Sequence, residues 1–238
     1  MRRSFLVIAL LGCGHPGTPT HASPTPIATG DAQTGGAHAS TKVVSYVALG
    51  DSFTIGTGAS PEQSFPARWA ARWGEACQPK VQNLGVNGYT SHDLIDRELP
   101  VLAAVRPTWV SVAIGANDIV AGWNAATYRA HLVTIFAAVR DAGVAPDHVV
   151  VVPQPDWSLS PAAAYFGKKA DIAARIEAFN AILAEEAAAV GARWVDLFPL
   201  MHRQAEAGMI AADDLHPSAA AYDAWGAELS ETLKSPCL

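Results

Sequence analysis

Charge is scarce in this chain. Asp, Glu, Lys and Arg make up 16% of its 238 residues, with 16 Lys and Arg against 22 Asp and Glu and a formal net charge of −6. No basic run exceeds Lys168-Lys169, so the electrostatic footprint that nucleic acid requires is missing. The partner to expect is a small or neutral molecule. Metal-ligand patterns are missing too: His92, His131, His148 and His202 have no partner at ligand spacing, and read as helix-surface or strand-end residues. What the chain has in quantity is apolar side chains, half of all residues. That is enough for one domain with a large core, of the kind that buries roughly 70% of its unfolded surface.

The chain opens with Met1-Arg2-Arg3, followed by an apolar stretch from Ser4 to Cys13. This has the shape of a signal peptide over residues 1–12 and is too short for a membrane span, which takes roughly 20 residues. Leu10-Leu11-Gly12-Cys13 resembles the bacterial lipobox, which implies lipid attachment at Cys13, a membrane partner through that anchor, and an exported protein of the cell envelope. The alternative is an ordinary secretory leader and a secreted, soluble product. Residues 13–41 are rich in Gly, Pro, Thr and Ser and read as a flexible tether, because they bury too little apolar area to offset their ordering entropy. Gly12-Cys13-Gly14-His15-Pro16-Gly17 formally matches G-x-G-x-x-G, but no strand precedes it and a proline interrupts it, so the match is chance. Cys77 and Cys237 fall in the folded part, and export would permit them to pair. Two unpaired, partly buried thiols are the other possibility, since sequence does not show whether their Cα atoms come within the roughly 7 Å required.

From Lys42 onward, short apolar runs alternate with longer amphipathic ones. Strands are expected at Val43–Leu49, Lys80–Leu84, Thr108–Ile114, His148–Val152 and Ala192–Asp196. Helices are expected at Pro66–Trp73, at Ser91–Val105 with Ser91 as N-cap, through Leu132, Ile135, Phe136 and Val139, along Ile172–Val190, and after Pro217. Such alternation predicts an α/β domain over 42–238, with a parallel sheet covered on both faces and ligands at the carboxyl ends of its strands. Trp69, Trp73 and Trp225 fit core or helix-packing positions.

Those carboxyl ends carry unusual residues. After the first strand stands Gly50-Asp51-Ser52-Phe53-Thr54, where a serine hydroxyl would emerge at the sheet edge or simply cap the next helix. Thr54 stands where the G-x-S-x-G elbow needs its second glycine, which disfavours the α/β-hydrolase fold. After the second strand, Gly88 offers either an outward N–H or merely a turn with positive φ. After the third, Gly115-Ala116-Asn117-Asp118 places an amide and a carboxylate at the same edge, or forms an Asx turn or cap. Near the C-terminus, Asp213-Asp214-Leu215-His216-Pro217 spaces a carboxylate to hold an imidazole in one tautomer.

Together these segments resemble the ordered blocks of the SGNH (GDSL) hydrolase superfamily, over about Val44 to Trp225. The resemblance implies a flavodoxin-like three-layer α/β/α sandwich around a five-stranded, mainly parallel sheet. It also implies ester hydrolysis without a cofactor, with Ser52 as nucleophile, His216 as base, Asp213 as its partner, and an oxyanion hole from Ser52, Gly88 and Asn117. Phe53 departs mildly from the family's usual leucine or tyrosine. Small acyl or O-acetyl groups, on a small-molecule or carbohydrate ester, are the substrates to expect of a short chain without inserts. Trp157 and Tyr165, in the Pro-rich passage after the fourth strand, read first as loop packing, with the lining of an acyl or sugar pocket as the alternative. Two rivals stand beside this reading: a non-catalytic surface lipoprotein that binds carbohydrate or protein, and a metal-dependent hydrolase using Asp213, Asp214 and His216.

Overall fold

Strand β1 (Lys42–Gly50) is buried at every residue from Tyr46 onward, as befits a central strand covered on both sides. The computed structural model describes residues 41–237, so the expected signal peptide, Cys13 and all but the last residue of the expected tether lie outside the described residues. With β2 (Cys77–Asn83), β3 (Trp109–Ala113), β4 (Val149–Val151) and β5 (Arg193–Trp194), β1 builds one five-stranded sheet in the order β2-β1-β3-β4-β5. Every pairing is parallel. The chain steps from β1 to β2 in one direction and from β2 through β5 in the other. Right-handed crossovers therefore put the connecting helices on opposite faces.

On one face, α2 (Phe65–Ala70) packs against the C-terminal α9 (Ala219–Thr232). The other carries α4 (Leu99–Val105), α6 (Ala125–Asp141) and α7 (Lys169–Ala189). Tyr46, Trp69, Trp73 and Trp109 form one buried aromatic cluster, with Trp69 edge-on to both Tyr46 and Trp73 at 5.2 Å between ring centroids. Trp225 is likewise buried. Cys77 and Cys237 form a disulfide, with Cα atoms 5.6 Å apart, which ties the first residue of β2 to the C-terminal end of the chain.

Three local expectations need correction. Helix α2 stops at Ala70 rather than running on to Trp73. The short helix α3 (Ser91–Asp93) is capped by Thr90, not Ser91, because Thr90 and Asp93 satisfy each other's backbone N–H groups. Ser91, one position further on, turns inward and is fully buried. Between α3 and α4 the expected continuous helix passes through a π turn, Leu94–Glu98. Glu98, at the end of that turn, is buried and its Oε2 accepts the Gly50 N–H at 3.0 Å.

Order 2-1-3-4-5 fixes where a ligand can sit. The chain reverses its winding at β1, so crossovers leave in opposite directions on its two sides and a crevice opens at the carboxyl edge there.

Candidate active site

Gly50 ends β1 with φ +154°, and a Cβ there would meet the Ala113 carbonyl and Thr54 Oγ1, each at 2.2 Å. Only glycine lets the two strand ends and the next turn approach this closely. The chain then turns into α1 (Ser52–Ile55), where Asp51, not Ser52, is the N-cap, its side chain accepting the Phe53 N–H at 3.0 Å. The Ser52 hydroxyl is thereby relieved of capping and has no hydrogen-bond partner among the described residues. Asp51 is 1% exposed, and burial, reinforced by the charge of Asp118, pushes its carboxyl up to about 7.

After β3, Gly115 adopts φ +130° and leads into α5 (Ala116–Val120). A Cβ at Gly115 would strike Gln154 Nε2 at 2.3 Å, so glycine is again demanded by a close approach. Asn117 does not cap this helix; its Nδ2 donates to the Tyr89 carbonyl at 2.9 Å. That uses one of its two amide hydrogens. Gly88, beside Tyr89, has φ +82°. Neither the Gly88 N–H nor the Ser52 N–H meets a protein acceptor among the described residues.

His216 lies on a turn before α9. Its Nδ1 stands 2.7 Å from Asp213 Oδ2, while Asp213 Oδ1 accepts the N–H groups of His216 and Leu215 at 2.9 and 3.0 Å. An ionised carboxylate can only accept, so the ring carries a proton on Nδ1 and leaves Nε2 free of this pair. Partial burial alone would raise the Asp213 carboxyl, but these three donors outweigh it and hold the group below the usual carboxylate range. Asp214 sits between them at φ +61°, in the left-handed region that Asp tolerates better than most residues. Three of the Asp213 lone-pair sites are thus spent within its own turn.

Ser52, Asn117 and His216 line one cleft together with Phe53, Ala116, Val120, Trp157, Phe166 and Leu215. The cleft is small and mostly apolar. Trp157 lines it rather than only packing a loop, whereas Tyr165 is 90% exposed and its neighbour Phe166 lines the cleft instead. The ring of Phe53 lies 5.3 Å from that of His216, so this position packs the imidazole as well as the core.

Two contacts had no clear warning in the sequence. His131, expected on the helix surface, places Nδ1 at 2.9 Å from Ser91 Oγ, and Ser91 is bonded in turn to Asp118. His202 similarly places Nδ1 at 2.9 Å from Asp156 Oδ2, beside Trp157. An acidic residue next to Asn117 and another next to Trp157 were the only hints.

The profile of the GDSL-like Lipase/Acylhydrolase family matches residues 48–224. Among solved structures, a lipase/acylhydrolase from Enterococcus faecalis superposes with TM-score 0.63 at 23% identity, covering 80% of this chain and 95% of its own. The psychrotrophic esterase EstA from Pseudoalteromonas sp. gives TM-score 0.63 at 17% identity, covering 79% and 94%. A family 3 carbohydrate esterase from Clostridium thermocellum gives 0.61 at 19%, covering 80% and 94%. The curated proteins contain no match. Since the family profile spans most of the chain and includes every strand end that builds the cleft, the chain belongs to the GDSL-like lipase/acylhydrolase family.

Proposed function

We propose that the protein is a serine esterase that hydrolyses carboxylic esters with short acyl groups through an acyl-enzyme. The observation that carries this reading is the Asp213–His216 pair, 2.7 Å apart, whose imidazole lines the same cleft as Ser52 and Asn117. Asp213 orients the ring and stabilises its charged form. His216 Nε2 takes the Ser52 proton as the hydroxyl attacks the ester carbonyl, then returns a proton to the departing alcohol. A water molecule repeats the cycle and frees the acid. The oxygen that gains negative charge meets the Ser52 and Gly88 N–H groups and the second hydrogen of Asn117 Nδ2. Val120, Trp157, Phe166 and Leu215 offer apolar surface suited to a short acyl chain.

A fluorophosphonate probe and a p-nitrophenyl ester series from acetate to palmitate test the reading. Wild type should label at Ser52 and favour the short esters, and Ser52→Ala should lose both labelling and hydrolysis. Full activity in purified Ser52→Ala refutes it.

We also propose that the protein is exported and held at the cell envelope by a lipid on Cys13. The leader sequence and the Cys77–Cys237 disulfide, a bond that persists in oxidising compartments, support this. Cys13→Ser should move the protein from the membrane fraction to the soluble one, and unchanged fractionation refutes the anchor.

A further inference from the structure

Gly88 stands on the loop after β2 and Asn117 in α5, directly after β3, and these strands lie on opposite sides of β1 without pairing to each other. Register with β1 fixes the two strand ends; beyond them, contacts between the Gly88 loop and α5 set how far Gly88 stands from Asn117. Asn117 supplies one through Tyr89. The second is stronger. Asp118 is fully buried, and both its carboxylate oxygens are taken by Ser91, one by the backbone N–H at 2.9 Å and the other by the hydroxyl. The Ser91 hydroxyl has one hydrogen, and Asp118 holds it. Burial raises the Asp118 carboxyl while its two Ser91 donors favour the ionised form, and with Asp118 ionised His131 Nδ1, at 2.9 Å, donates to Ser91 Oγ from α6. His131 is itself packed between Trp123, at 4.8 Å, and the stacked ring of His92, at 5.7 Å. Burial first of all holds the His131 ring below its usual range, which favours the neutral form with a single N–H.

We propose that Asp118, Ser91 and His131 form a positioning relay that locks the Gly88 loop and the Asn117 end of α5 into the spacing an oxyanion needs. Asp118 clamps the start of α5 to the start of α3, and His131 fixes the Ser91 rotamer that makes the clamp. None of the three touches substrate. The inference rests on the esterase reading, because it assigns Gly88 and Asn117 their shared task. Donors that act on the developing charge matter in the transition state more than in substrate binding.

The test compares full-length wild type, Ser91→Ala, His131→Phe and His131→Asn in p-nitrophenyl butyrate hydrolysis. Nitrogen NMR of the His131 ring in wild type gives a readout independent of activity. Ser91→Ala should lower kcat about 10- to 100-fold with KM changed less than about twofold. His131→Phe should fall in the same sense, and His131→Asn, whose amide can donate where Nδ1 stood, should recover most of the loss. Combined with Asn117→Ala, the Ser91→Ala effect should shrink, since both act on one group of donors. NMR should show the proton on Nδ1. The relay is overturned if Ser91→Ala leaves kcat unchanged, if His131→Asn is no better than His131→Phe, or if the proton resides on Nε2. If Ser91→Ala fails to fold, the His131 pair decides. A wild type inactive on every ester would defeat the esterase reading, while the tautomer would still decide the His131 link.

Discussion

Replacing Glu98 with glutamine should make the protein more resistant to unfolding at alkaline pH and leave it unchanged in acid. Glu98 is 2% exposed, and burial is the main reason its carboxyl is pushed up to about 9, with the Gly50 N–H opposing and Asp51 adding. In the unfolded chain it ionises near 4.5. Between these values the folded state holds a proton that the unfolded state has released, so stability falls as pH rises. Each pH unit costs about 1.4 kcal/mol per proton, and by pH 8 the accumulated cost is on the order of 5 kcal/mol. Above the folded value the loss levels off, because both states are then ionised. Glutamine keeps an oxygen for the Gly50 N–H and has no proton to lose. Guanidinium unfolding of wild type and Glu98→Gln, with the disulfide intact, should give equal free energies near pH 4.5 and a gap of several kcal/mol in favour of the variant at pH 8. A gap that is the same at both pH values refutes the reasoning.

Asn117→Ala should lower kcat by about 10²- to 10³-fold with little change in KM, measured by steady-state hydrolysis of p-nitrophenyl butyrate. Asp213→Asn should cost on the order of 10⁴-fold, since an amide can donate to Nδ1 and favour the wrong tautomer; activity near wild type would show that the ring is held by something else. The Cys77–Cys237 bridge spans a sequence separation of 160 residues, so Cys77→Ser with Cys237→Ser should lose about 5 kcal/mol in denaturant titration if loop-closure entropy governs. Equal midpoints for the two forms would argue that the reduced chain is already constrained.

The three inner strands were legible because β1, β3 and β4 are buried on both faces, as in Val149–Val151, whereas β2 carries Gln78, Lys80 and Gln82 on an alternating pattern and β5 is reduced to Arg193–Trp194. The candidate site residues were legible for a different reason: Ser52, Gly88, Asn117 and the Asp213–His216 pair lie just past strand ends or in a tight local turn, where short motifs survive as contiguous text, and of these Ser52, Asn117 and His216 line the cleft. Thr90 and Ser91 are both hydroxyl residues before a helix, and only the Asp three residues after Thr90 favours it as the cap. Tyr165 and Phe166 are neighbours at a 3₁₀ turn, and the period of the pattern is too short there to say which one faces inward. His131 was hidden more deeply. Its partner Ser91 is forty residues away, and from α6 alone it sits beside the apolar stripe of Leu132 and Ile135 like any flanking residue. Glu98 was hidden too, because the π turn that carries it leaves no mark in a 3.6-residue pattern.

The strand that delivers Ser52 also determines which pole of the domain is held. Lys42, where the chain joins the sheet, pairs with Cys77, and its Nζ donates to the Pro236 carbonyl at 2.8 Å. Both ends of the folded region are thus fastened side by side at the amino edge of the sheet, next to the disulfide. Nine residues of β1 then run, at about 3.3 Å each, some 30 Å to the opposite edge. The cleft opens at the far pole, away from both ends of the described chain.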